Sequence, residues 1–78
     1  MQTLLRMPDV TAATALAKPT LYRQIKHGLF PRPVKLGRVS AWPSDAVNAV
    51  ITARIAGKSD EEIRVIVADL DRQRRAAA

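Results

Sequence analysis

Apolar positions in this chain recur with two periods, and the change from one to the other marks out its elements. After Pro8, placed as a first helical residue with Asp9 in the first turn, Val10 and Ala13 form a short apolar stripe that Leu16 closes. This predicts a first helix of about two turns. A second helix opens at Pro19 and runs to His27, with Gly28 just past its end; Leu21 and Ile25 share one face and Leu29 continues it. The turn around Thr14–Lys18 joins the two as a helix-turn-helix. Phe30-Pro31-Arg32-Pro33 then forces an extended path.

From Val34 the period falls to two. Val34-Lys35-Leu36 and Val39-Ser40-Ala41 alternate around Gly37-Arg38, a type II′ hairpin signal. The expected register sets Leu36 against Val39 and Val34 against Ala41 on the buried face. Lys35 and Ser40 face outward, and Arg38 stands at the tip. The same alternation sends Trp42 outward, but the area of a lone Trp predicts that it turns in and packs. Helical spacing returns with Val47, Val50, Ile51 and Ile55, a third helix capped by Ser44 and ended by Gly57, whose stripe is expected to cover the first two. Ser59-Asp60-Glu61-Glu62 is a capping box that starts a fourth helix with the stripe Ile63, Ile66, Val67 and Leu70. Residues 2–6 are a strand or a lead-in, and the tail from Arg72 to Ala78 is expected to fray. The fold class is therefore mostly α with a small β-hairpin: a winged helix-turn-helix over residues 1–57, then a C-terminal helix and basic tail over 58–78 in the same compact unit.

Charge turns this outline into a functional reading. Residues 1–44 hold seven Lys/Arg and the single Asp9, a balance of +6; residues 45–78 hold six of each sign. No carboxylate side chain occurs between Asp9 and Asp45. Charge that merely solubilised a small domain would not need to exclude acids from so long a stretch. The asymmetry points to a nucleic-acid-facing surface. With no cysteine, disulfides and thiolate metal sites are excluded; a single histidine argues against a zinc site, and His27 reads as a polar helix end. No nucleophile–base pair, carboxylate dyad or phosphate-cradling glycine loop suggests an enzyme, and no cofactor is expected. No apolar run approaches a membrane span and no secretory h-region is evident, so a cytoplasmic, nucleoid-associated protein is expected.

LLRMPDV, TLYRQIKHGLFPRPVKLGR and AWPSDAV together resemble AlpA-type phage and prophage regulators, relatives of phage excisionases in the MerR-like winged-helix group. The resemblance covers roughly residues 4–55. It implies that the second helix enters a major groove and that the wing reaches an adjacent minor groove. It puts Tyr22 and Arg23 on recognition-helix positions and Arg38 at the wing tip. Ala15 stands where the family usually has the turn glycine, and Ala17 where it usually has a capping serine. The hairpin after Gly37 is one residue shorter than is common.

Candidate DNA-binding residues are Lys18, Thr20, Tyr22, Arg23, Lys26, Lys35, Arg38 and Ser40. Lys18, Lys26, Lys35 and Arg38 are suited to phosphates. Arg23 is the first choice for a bidentate pair to guanine, with a phosphate contact as its other reading. Tyr22 is either a base-edge or phosphate contact or half-buried in the core. Thr20 is a phosphate or thymine-methyl contact, or simply a helix start. Arg38 suits a narrow minor groove, with a solvated hairpin tip as the alternative. A module this small buries only about 600–1,000 Å² on DNA, so several copies are expected to act together. Ile63, Ile66, Val67 and Leu70 offer a self-association stripe, unless the fourth helix folds back onto the third. The leading function is a sequence-specific transcription regulator of a mobile element, with RNA polymerase as an associated partner. The runner-up is an excisionase that bends an attachment site and recruits an integrase, and an interaction adaptor with an acidic partner is the alternative of a different class.

Overall fold

The computed structural model describes residues 3–77; Met1, Gln2 and Ala78 of the predicted lead-in and tail lie outside them. The elements run β1 (Leu4–Arg6), α1 (Met7–Thr14), α2 (Lys18–Lys26), β2 (Val34–Leu36), β3 (Val39–Pro43), α3 (Ser44–Ile55) and α4 (Asp60–Ala77). The hairpin takes the expected register, Leu36 opposite Val39 and Val34 opposite Ala41. Gly37 alone in its turn has positive φ (67°), as the first central residue of a type II′ turn requires. The lead-in strand joins it: β1 pairs antiparallel with β3, giving a three-stranded sheet in the order β1-β3-β2.

As the central strand, β3 is covered on both faces, so Ala41 and Trp42 are both buried although they point opposite ways. Trp42 is fully buried without the strand ending or turning, because the segment after α2 comes to it. Its Nε1 donates to the carbonyl of Pro31 at 2.9 Å, and Phe30 meets its ring edge-on at a centroid distance of 6.4 Å. Val10, Leu21, Val47, Val50, Ile63 and Val67 complete the core. The stripe of α4 is thus folded back into the protein's own interior: Ile63 and Val67 are buried, and Ile66 and Leu70 pack beside them. Ile66 and Leu70 keep part of their surface exposed.

Five local expectations are corrected. Leu36 is half exposed, because β1 reaches only the Ala41–Pro43 part of β3 and nothing underlies the hairpin tip. Ile55 is 82% exposed: it stands five residues from buried Val50, about 140° round the helix. Ala13 is exposed, leaving Val10 as the one fully buried residue of α1. Ser44 does not cap α3 but ties down the chain before β1: its Oγ accepts from the Thr3 N–H at 2.9 Å, and its N–H donates to the Thr3 carbonyl at 2.7 Å. The tail does not fray, since α4 stays helical to Ala77 and Arg74 Nη1 donates to the Arg32 carbonyl at 2.8 Å.

The turn between α1 and α2 bears both departures from the family pattern. Ala15 sits at φ 59°, ψ 22°, left-handed backbone that a Cβ disfavours by about 1–2 kcal/mol. Ala17, at the N-cap of α2, has no side chain to satisfy the first amides of the helix. We expect Ala15→Gly to stabilise the protein by about 0.5–1 kcal/mol, the gain in backbone freedom being partly offset by the looser unfolded chain. Ala17→Ser should add about 1 kcal/mol. Urea unfolding midpoints check both, and a drop in either midpoint would refute the corresponding account.

The capping box of α4 forms as read: Glu62 N–H donates to Ser59 Oγ at 3.2 Å, and Ser59 N–H donates to Glu62 Oε1 at 3.3 Å. The bonds from the Ser59 amide and hydroxyl, helped by Lys58, hold the Glu62 carboxyl below its ordinary value of 4.5. A carboxylate depressed on folding contributes stability that is present above pH 4.5 and lost as the pH falls through its lower folded value. Glu62→Gln should therefore flatten the acid limb of the stability–pH curve, leaving its neutral limb parallel to wild type. Superimposable acid limbs would contradict it.

Candidate nucleic-acid interface

The second helix and the hairpin meet. Lys18 and Tyr22 on α2, and Arg38, Val39 and Ser40 on the hairpin, line one shallow surface depression together with Arg6, Met7 and Pro8. The sheet makes this possible, because β1 delivers Arg6 to the start of α1 while β3 carries the hairpin alongside. The Arg6 amide donates to Asp9 Oδ2 at 3.3 Å, so the acid of this region is engaged at the start of α1. Three ion pairs occur among the described residues: Arg54–Asp60, Lys58–Glu62 and Arg72–Asp69, all on α3, α4 and their junction. The cations of residues 6–38 enter none of them. Their field is directed to solvent, as an anion-binding surface needs.

The predicted residues divide into four groups around this depression. Lys18, Tyr22, Arg38 and Ser40 are brought together in it. Tyr22 is 41% exposed, so it is not part of the buried core. Arg23 and Lys26 are exposed but lie farther round α2. At about 100° per residue, Lys26 is about 40° from Tyr22 and about 60° from Arg23, so the three share one outward arc with Arg23 on the flank away from the wing. Thr20 is half-buried, on the far side of the helix from Tyr22, and is the weakest of the group. On the outer face of the hairpin, Lys35 Nζ donates to Ser40 Oγ at 2.7 Å, which aligns the two side chains across the strands.

Arg6 was missed by the sequence reading. The available signal was a basic residue two positions before Pro8, where the chain must emerge beside a helix start. The depression makes it a neighbour of Arg38 although the two are 32 positions apart in the chain. A helper for α2 was missed too. Arg64 Nε donates to the His27 carbonyl at 3.0 Å, so a side chain of α4 satisfies an orphan acceptor at the end of the recognition helix. Gln24 is also held, accepting from Arg54 Nη2 at 3.2 Å. No cluster of His, Cys, Asp and Glu among the described residues has the makings of a metal site, and no helix of them is long and apolar enough to cross a membrane.

The family model described as prophage CP4-57 regulatory protein (AlpA) matches residues 3–48, which hold β1, the helix-turn-helix, the wing and the start of α3. An uncharacterized protein, ORF88 of Enterobacteria phage P4, is 40% identical over 55 residues, or 69% of this chain. The chain spans 62% of that relative's length. No solved structure matches.

If α4 braces the recognition helix, Arg64→Ala should loosen its end without unfolding the core. We expect faster amide hydrogen exchange at His27 to Leu29, with Leu21 and Trp42 unchanged and a global loss of no more than about 1 kcal/mol. Unaltered exchange at those amides would remove the bracing role.

Proposed function

Because the chain belongs to the AlpA family of prophage regulatory proteins, we propose that it binds duplex DNA as a transcription regulator of a phage or prophage, with α2 in a major groove and the hairpin at the adjacent minor groove. The single observation that supports this reading best is the depression where Arg6, Lys18, Tyr22 and Arg38 converge, clear of every ion pair. One duplex laid across it meets both elements. Arg38, at the tip of a tight turn, fits the enhanced negative potential of a narrow minor groove. Lys18, Lys26, Lys35 and Arg6 neutralise phosphates and fix position. Arg23, on the outward arc of α2, carries base reading through guanine O6 and N7, a contact of about 1–3 kcal/mol in discrimination. The work is done in the cytoplasm, on the nucleoid or an element's DNA, and needs no cofactor and no catalytic step.

A lone copy offers too little contact area for a unique genomic site. We therefore propose that several copies sit side by side on DNA. With Ile63 and Val67 of the α4 stripe in the core, they meet through other surfaces and through the bent or shared duplex. An excisionase that recruits an integrase would use the same fold and the same contacts, and differs only in where it binds.

Footprinting on an element's own promoter and attachment regions, across a salt series, tests the reading. Wild type should protect a discrete site with steep salt dependence. Arg23→Ala should keep weak non-specific binding and lose preference for the site by about 10–100-fold, and Arg38→Ala should weaken binding and reduce preference for A·T-rich flanks. Protection at a promoter with altered transcription supports a regulator, and protection at an attachment site with altered excision supports the excisionase. Equal footprints from wild type and Arg23→Ala would take base reading away from that side chain. The absence of salt-sensitive DNA binding would overturn the proposal and favour an adaptor.

A further inference from the structure

The second half of the chain has no net charge, but the two ends of α4 differ in sign. Asp60, Glu61 and Glu62 occupy its first turn, and Arg72, Arg74 and Arg75 its end. The acidic end is engaged by Arg54 and Lys58. The basic end abuts the loop that leads into the wing: Arg32, Asp71, Arg74 and Arg75 line a second surface depression. Arg74 is fixed there by its bond to the Arg32 carbonyl, while its Nη2 and the Oδ1 of Asp71 are buried with no hydrogen-bond partner. Asp71 subtracts one charge and leaves a net +2 over the depression.

We propose that Arg32, Arg74 and Arg75 form a second phosphate-backbone site at the root of the wing, which extends the DNA contact beyond the groove entered by its tip. This rests on the DNA-binding reading above. Arg32 and Gly37 are five residues apart on an extended path, about 16 Å of strand rise. The minor groove is only about 6 Å wide. With Arg38 in that groove, the root of the hairpin lies past the groove's wall, beside the next run of phosphates. The exposed side chains of Arg32 and Arg75 each take one phosphate of that run, on either side of the loop that Arg74 holds. Arginine is suited to this because its fork matches phosphate geometry.

The test compares wild type with the double variant Arg32→Ala/Arg75→Ala, leaving Arg74 to hold the loop, and with Arg32→Lys/Arg75→Lys. Affinities are measured across a salt series on two duplexes. One is limited to the footprint of α2 and the hairpin tip, and the other is longer by about one helical turn on each side. On the longer duplex the alanine variant should lower the slope of log K against log salt by about 1.8, some 0.9 per lost phosphate contact. The lysine variant should retain most of the slope. On the shorter duplex all three proteins should agree. Unchanged slope on the longer duplex, with the thermal midpoint preserved, overturns this site alone and leaves the recognition helix and wing tip standing. Loss of slope on both duplexes overturns the placement outside the tip's footprint. A wild type without salt-dependent binding on either duplex overturns this site together with the function it extends.

Discussion

The indole of Trp42 joins three parts of the molecule at one point. It lies in the middle strand of the sheet, fully buried, with its N–H on the Pro31 carbonyl and its ring against Phe30. Because Pro31 follows α2 and Trp42 belongs to the outgoing strand of the hairpin, this contact fixes the angle between those two elements. The surrounding prolines stiffen the path, and the aromatic pair adds about 0.5–1.5 kcal/mol beyond the area it buries. A wing held only by its own two strands would be marginal in water. Pairing with β1 and packing of Trp42 turn it into a fixture.

Electrostatics follows from the same arrangement. Acidic residues other than Asp9 are confined to α3 and α4; those of the first turns serve helix starts, and Asp60, Glu62 and Asp69 pair with nearby cations. Such exposed pairs add little stability. Their larger effect is to keep carboxylates away from the face where Arg6, Lys18 and Arg38 converge. The α4 helix contributes twice more, through Arg64 on the His27 carbonyl and Arg74 on the Arg32 carbonyl. Two arginines of one helix thus secure both ends of the segment between recognition helix and wing.

The tight turn between α1 and α2 shows how little local preference the fold needs. Ala15 takes a left-handed conformation with no glycine, and α2 begins with no capping side chain at Ala17. Val10 and Leu21, both fully buried, keep the two helices in place against these local costs. Tertiary burial outweighs the turn chemistry, and Pro19 in the first turn of α2 contributes pre-set backbone.

Local chemistry was legible in the letters wherever neighbours in sequence settle the outcome. The helix starts at prolines, the hairpin register around Gly37, the capping box of Ser59 and Glu62, and the basic bias of residues 10–44 all depend on residues a few positions apart, and so did the outward placement of Lys18, Tyr22, Arg23, Lys26 and Arg38. What depended on residues far apart was decided only by folding. The sequence could not show that β1 pairs with β3, that Ser44 serves Thr3 rather than its own helix, that Leu36 and Ile55 lack cover, or that the α4 stripe folds back onto the core. It also left Arg6 and the arginines of α4 apart from the sites they join. Periodicity reports which face of an element is apolar, but the partner for that face is chosen by the packing of the whole chain.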